Sequence, residues 1–218
     1  VELTAEEGRV LGCLVEKQLT TPQQYPLTDN ALVAACNQTT SRDPVVQYDV
    51  TTVRLAVRSL RERDLLRTVH RPGERSEKHL HLLDQALELS SGQVALVAVL
   101  LLRGPQTTAE LRARTERMYP FGAAAEVEDA LRTLAERAEP LVEHLPRLPG
   151  QKEARYADLL VETGAAPVPI APDETARPPL PREPAAQSTD DLATEVAALR
   201  ADLAALREEV AALRSSEP

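Results

Sequence analysis

Apolar residues recur at helical spacing in three successive segments of this chain, and the whole series then repeats. After Thr4-Ala5-Glu6-Glu7 come Val10, Leu11 and Leu14; after Ser90-Ser91-Gly92-Gln93 come Val94, Val97 and Leu101. Both openings have the form S/T-x-x-E/Q, in which the hydroxyl and the later side chain satisfy backbone amides left unpaired at a helix start. A second helix is predicted over about residues 28–36, with Leu32, Val33 and Cys36 inward. Its counterpart opens at Thr107-x-x-Glu110 with Leu111 inward. The third helix carries the plainest repetition, because residues 53–63 return 74 positions later as residues 127–137. The apolar positions agree and several polar ones do not. A duplicated scaffold with a diverged surface separates residues that make the fold from residues free to make function.

Behind each third helix the period changes from helical to alternating. Leu65 to Arg71 and Lys78 to Leu82 flank Pro72-Gly73, a pair suited to the centre of a type II turn. The second half echoes this with Leu141 to Leu145, Pro149-Gly150 and Ala154 to Leu160. Three helices and a two-stranded wing, twice over, predict a mainly α chain with small β-hairpins: an α+β protein of two tandem winged-helix domains, residues 1–85 and 86–163. From 164 to 188 prolines at 167, 169, 172, 178, 179, 181 and 184 make an extended linker. Residues 189–214 then hold a heptad series, Leu192, Val196, Leu199, Leu203, Leu206, Val210 and Leu213. Glu195, Asp202 and Glu209 at g would face Arg200, Arg207 and Arg214 at e only in a parallel pair, so a C-terminal coiled-coil helix that self-associates in parallel, as a homodimer, is expected; a solvated single helix is the competing reading.

Composition narrows the classes. The 218 residues are 43% hydrophobic but only 2% aromatic, so the cores are expected to be aliphatic. The longest apolar run, residues 94–102, has nine residues. A membrane helix needs roughly 20, so neither a membrane span nor a leader is expected, and the location is expected to be cytoplasmic. Cys13 and Cys36 lie among aliphatic residues and are expected to be buried thiols. The net charge of −9 is uneven: −1 over residues 1–85, −2 over 86–160 and −6 over 161–218. A near-neutral first domain leaves room for a local basic face.

That face is on the third helix. Val53, Ala56, Val57 and Leu60 form the apolar stripe, and at about 100° per residue Arg54, Arg58 and Arg61 gather beside it. Three arginines on such a helix suit the major groove of duplex DNA, with Arg67, Arg71, Arg75 and Lys78 of the wing reaching the backbone. The competing reading is a solvated face paired with Glu62 and Asp64. The second copy is an internal control: Glu128, Arg132 and Ala135 stand where the three arginines were, and Glu126 and Asp129 lie nearby. Phosphate would be repelled there, so the second domain is expected to serve packing, dimerisation or partner binding. Arg112, Arg114 and Arg117 on its second helix keep a minor electrostatic role open.

The polar segment between the second and third helices, residues 36–45, is longer than a turn needs. Asn37, Gln38, Thr39, Ser41, Arg42 and Asp43 are expected either to cap the helix ends or to contact phosphate or a partner. Its run CNQTTSRDPV, together with EKQLTTPQQYPL from Glu16, LLLRGPQT from Leu100 and RMYPF from Arg117, resembles the YceH-like bacterial proteins over about residues 3–160. The resemblance implies two winged-helix domains and a cytoplasmic bacterial protein, and implies no activity.

Enzyme chemistry has little support. His79 and His81 share one strand face near His70, but no third ligand accompanies them, and exposed strand residues are the expectation. The chain holds no glycine-rich phosphate loop and no nucleophile elbow, so no catalytic residue, metal or cofactor is expected. Two functions remain: a dimeric, regulatory DNA-binding protein, or an adaptor whose winged helices and coil grip an unidentified protein partner.

Overall fold

In the computed structural model, which describes residues 2–70, 76–147 and 153–162, each capping pattern becomes a helix start. Thr4 caps α1 (Ala5–Thr20), Ser90 caps a long helix at Ser91–Arg103, and Thr107 caps another at Thr108–Thr115. In all three the reciprocal bond from Glu7, Gln93 or Glu110 is present. The first half continues with α2 (Asp29–Cys36), capped by Thr28, and α3 (Val50–Glu62), capped by Asp49. Strands β1 (Leu66–Val69) and β2 (Lys78–His81) follow, then a one-turn helix α4 (Leu83–Ala86). The second half comprises α5 (Ser91–Arg103), α6 (Thr108–Thr115), α7 (Ala124–Ala135), β3 (Val142–Leu145) and β4 (Arg155–Asp158). Among the described residues the fold is therefore mixed α+β, with seven helices and two antiparallel hairpins.

Each hairpin gains a third edge. Leu27, just before α2, exchanges backbone bonds with His79 of β2 (3.1 and 2.7 Å), and Gln106, just before α6, does the same with Tyr156 of β4 (2.9 and 2.8 Å). These bridges pin the start of the second helix to the outer strand in both copies. Thr28 therefore corresponds to Thr107, Asp29 to Thr108, and His79 to Tyr156. Within the hairpins Thr68 faces His79, and His144 faces Tyr156.

The two halves share one core centred on α5, whose residues 92–102 are all buried. Helix α5 packs on α1 from the first half and on α6, α7 and β4 from the second, which is why it is apolar on every side. Gly8 and Gly12, one turn apart on α1, make this approach close. A Cβ on Gly12 would lie 3.0 Å from the Leu102 side chain, and one on Gly8 only 2.5 Å from that of Val161. The last described residues return to the first: Leu3 N–H donates to Leu160 O (2.6 Å) and Glu162 N–H to Leu3 O (2.9 Å). Cys13 and Cys36 are free, buried thiols. Their mutual hydrogen bond and burial push the Cys36 thiol well up. No helix among the described residues is long and apolar enough to cross a membrane. Arg71, Arg75, both Pro-Gly turns, residues 164–188 and the heptad positions from Leu192 to Leu213 lie outside the described residues.

Candidate nucleic-acid interface

Helix α3 buries Val53, Ala56, Val57 and Leu60 and exposes Arg54, Arg58 and Arg61, as its periodicity predicts. On its solvent side the three arginines differ in how they are held. Arg58 pairs with Glu62 one turn on, Nε to Oε1 at 3.0 Å, and both side chains are well exposed. Such a pair is worth only about 0.3–0.5 kcal/mol and yields readily to another anion. Arg54 instead donates from Nε to Asp29 Oδ2 at 2.7 Å, reaching from α3 to the first residue of α2. Arg67 is exposed on β1, and Lys78 is half-buried on β2. Leu55 is 64% exposed beside the arginines, a large apolar side chain in an otherwise polar face.

Behind Arg54 stands a chain of polar contacts. Asp29 Oδ1 meets His79 Nε2 at 2.7 Å, and His79 Nδ1 meets Thr68 Oγ1 at 3.1 Å. Partial burial would raise the Asp29 carboxyl, but the hydrogen bonds from Arg54 and His79 hold it below its ordinary range. The expectation that His79 and His81 are exposed is overturned: they are 3% and 5% exposed. The Leu27–His79 bridge sets the strand register, so the histidines point inward and Leu80 and Leu82 are left half-buried. Inside, His79 has Asp29 and Thr68 as partners, while His81 accepts from Leu83 N–H at Nδ1 (3.3 Å) and lies beside Tyr25. Burial pushes the His81 imidazole down to about 4, against a smaller upward pull from Asp84. His70 is exposed at the end of β1. Among the described residues no group of three metal-ligating side chains assembles.

The polar segment after α2 turns inward. Arg42 is buried and makes a two-pronged ion pair with Glu16 of α1 (3.1 and 2.6 Å), donating further to Ala35 O, Ser41 O and Gln38 Oε1. Burial would raise the Glu16 carboxyl, but the Arg42 guanidinium holds it below its ordinary range. Asn37 clasps the Tyr48 backbone through both its amide oxygen and nitrogen (2.8 Å each), and Asp43 N–H donates to Leu102 O in α5 (2.9 Å). Arg9 of α1 adds bonds to Cys36 O and Pro44 O. At the C-terminus of α2 the carbonyls of Val33, Ala35 and Cys36 are thus satisfied by Asn37, Arg42 and Arg9, whereas the start of α3 is capped by Asp49, outside the motif. Thr39 is exposed, and Ser41 takes a left-handed φ of 61°. Sequence reasoning missed Asp29 and Glu16, because the groups that give them meaning lie 50 and 26 residues away.

The second copy places different chemistry on the same scaffold. Thr108, His144, Tyr156 and Glu128 line one concavity there, at the positions of Asp29, Thr68, His79 and Arg54. Arg132 is tied to Asp129 at 2.5 Å, and Arg112 donates to Phe121 O and Gly122 O. The basic stripe of α3 has no counterpart on α7.

A family model described as "Protein of unknown function, DUF480" matches residues 3–151. Similar proteins include a UPF0502 protein of Koribacter versatilis, 49% identical over 77% of this chain and 78% of its own length. Another from Geobacter metallireducens is 53% identical over 72% of each chain, and one from Klebsiella pneumoniae is 49% identical over 74% and 76%. The family model ends before the proline-rich and heptad segments begin.

Proposed function

We propose that this chain, which belongs to the DUF480 family, is a cytoplasmic winged-helix regulator that binds duplex DNA through α3 and the β1–β2 wing. It acts by binding, without a catalytic step or a cofactor, and it dimerises through a parallel coil formed by the heptad at residues 192–213. The observation that carries this reading is the exposed stripe of Arg54, Arg58 and Arg61, set against the duplicate helix, where Glu128 and Ala135 replace two of the arginines and the third, Arg132, is tied to Asp129. Identical scaffolding with divergent charge makes the stripe a feature of function rather than of folding. Wing residues Arg67 and Lys78 extend the basic character beside α3, and the proline linker lets two such units adopt different separations.

Fluorescence anisotropy with a labelled random-sequence duplex tests this. The wild type binds at low salt, and an Arg54→Ala/Arg58→Ala/Arg61→Ala variant binds at least about tenfold more weakly. An unchanged affinity in that variant contradicts the reading.

One observation favours a protein-adaptor role instead: Leu55 is exposed at the edge of the stripe, and Arg54 and Arg58 already have acidic partners. A stoichiometric protein partner recovered by pull-down, with no retention on duplex DNA at low salt, would select that role.

A further inference from the structure

Resting on the DNA-binding reading, we propose that Arg54 is the specificity-determining residue of α3, held by Asp29 and His79 in position to read a guanine in the major groove. Arg58 and Arg61 supply affinity without sequence preference.

The three arginines share a face but not a constraint. Among the described residues Arg58 is held only by Glu62 on its own helix, whose side chain is 60% exposed. Asp29, which holds Arg54, is fixed from behind by a histidine that is 3% exposed, and that histidine is bonded in turn to Thr68. Four elements, α2, α3, β1 and β2, therefore converge on one guanidinium. The Leu27–His79 bridge locks α2 to β2 two residues from Asp29, so the carboxylate cannot drift relative to the wing. Because Asp29 takes Nε, that edge of the guanidinium is turned toward α2 and the opposite edge outward. Both terminal amino groups remain without another acceptor among the described residues.

That geometry suits one ligand better than another. A phosphate is satisfied by a mobile cation approaching from many directions, and a carboxylate fixed behind the arginine would only weaken it. Guanine presents O6 and N7 side by side in one plane, and a guanidinium offering a fixed pair of N–H donors matches both at once. Orienting the donor beforehand removes the entropy otherwise lost on binding. Arg54 is also the fifth residue of α3, in the N-terminal half from which such helices reach base edges. Arg61, near the far end, is placed for backbone. In the second copy the support of a half-buried carboxylate and a buried imidazole is replaced by Thr108 and Tyr156 together with the replacement of Arg54 by Glu128, so support and reader are absent together.

The test is selection of preferred sites from a randomised duplex library by the full chain, followed by anisotropy on the selected site and on single-base variants of it. Arg54→Lys and Asp29→Asn are compared with the wild type, with helix content and unfolding midpoint measured for each. The wild type is expected to select a guanine at one position, and Arg54→Lys to bind random duplex nearly as well while its preference for that guanine falls about tenfold or more. Asp29→Asn removes a negative charge, so its affinity for random duplex holds or rises while the same preference falls. That combination is one a purely structural role would not produce. If Asp29→Asn fails to fold, the exposed Arg54→Lys carries the test alone. No binding of any duplex by the wild type would defeat the DNA-binding reading itself. Binding without a selected guanine, or a preference unchanged in Arg54→Lys, would overturn the assignment of Arg54 and leave that reading standing.

Discussion

Two arginines of the first half illustrate how position decides chemistry. Arg42 lies in a loop, where charge is usually solvated, yet it is buried against Glu16 and three other acceptors and holds the loop to α1. Arg54 lies on a helix and keeps its charge in solvent, with a single bond to Asp29. Nothing in the local sequence distinguishes them, because the partner that buries the one and the partner that steers the other come from distant segments. The same holds for His81. Its pKa falls from an ordinary 6.5 to about 4 in the folded chain. The unfolded chain therefore takes up a proton below pH 6.5 that the folded chain refuses until about 4, and stability is lost progressively across that window as pH falls. One such group accounts for about 3 kcal/mol at full effect. Urea unfolding between pH 7 and pH 4 is expected to show this loss in the wild type and a flatter profile in His81→Asn, which keeps an acceptor for the Leu83 amide. Parallel profiles for the two proteins would refute it.

At the level of elements, what was legible followed from local rules. The capping hydroxyls of Thr4, Ser90 and Thr107 and the apolar stripes of α3 and α7 need only neighbours within a turn or two, and each helix formed where its pattern placed it. The one-turn helix α4 and the single bridges at Leu27 and Gln106 were not legible, since they exist only once the hairpins are in place. Those bridges also turn His79 and His81 inward, against the apolar alternation of Leu80 and Leu82. The closeness of α1 to α5 was equally hidden, although Gly8 and Gly12 permit it. Replacing a helical glycine with leucine should favour the isolated helix by up to about 1 kcal/mol. At Gly12, however, a side chain meets Leu102 and Leu101. Gly12→Leu is therefore expected to lower the unfolding free energy by about 1–3 kcal/mol, the cost of overpacking. Chemical denaturation that showed a net gain in stability would mean the α1–α5 contact is not tight.

For the whole molecule, duplication is the organising fact. One arrangement of three helices and a hairpin was used twice, joined through α5 with the first and last described segments paired at Leu3 and Val161. Copy one kept an exposed basic helix supported by Asp29 and His79; copy two put its resources into a shared core and an acidic third helix. A chain of net charge −9 that binds DNA must do so through a local field, and a local field has a definite salt signature. The most direct measurement is therefore the affinity for random duplex as a function of salt. Each phosphate contact contributes about −0.9 to the slope of log K against log salt, so the wild type is expected to show a slope of about −3 or steeper, and the Arg54/Arg58/Arg61 triple alanine variant one shallower by about 2, the share of Arg58 and Arg61. A slope near zero, or one unchanged by removing the three arginines, would contradict α3 as the DNA-binding surface.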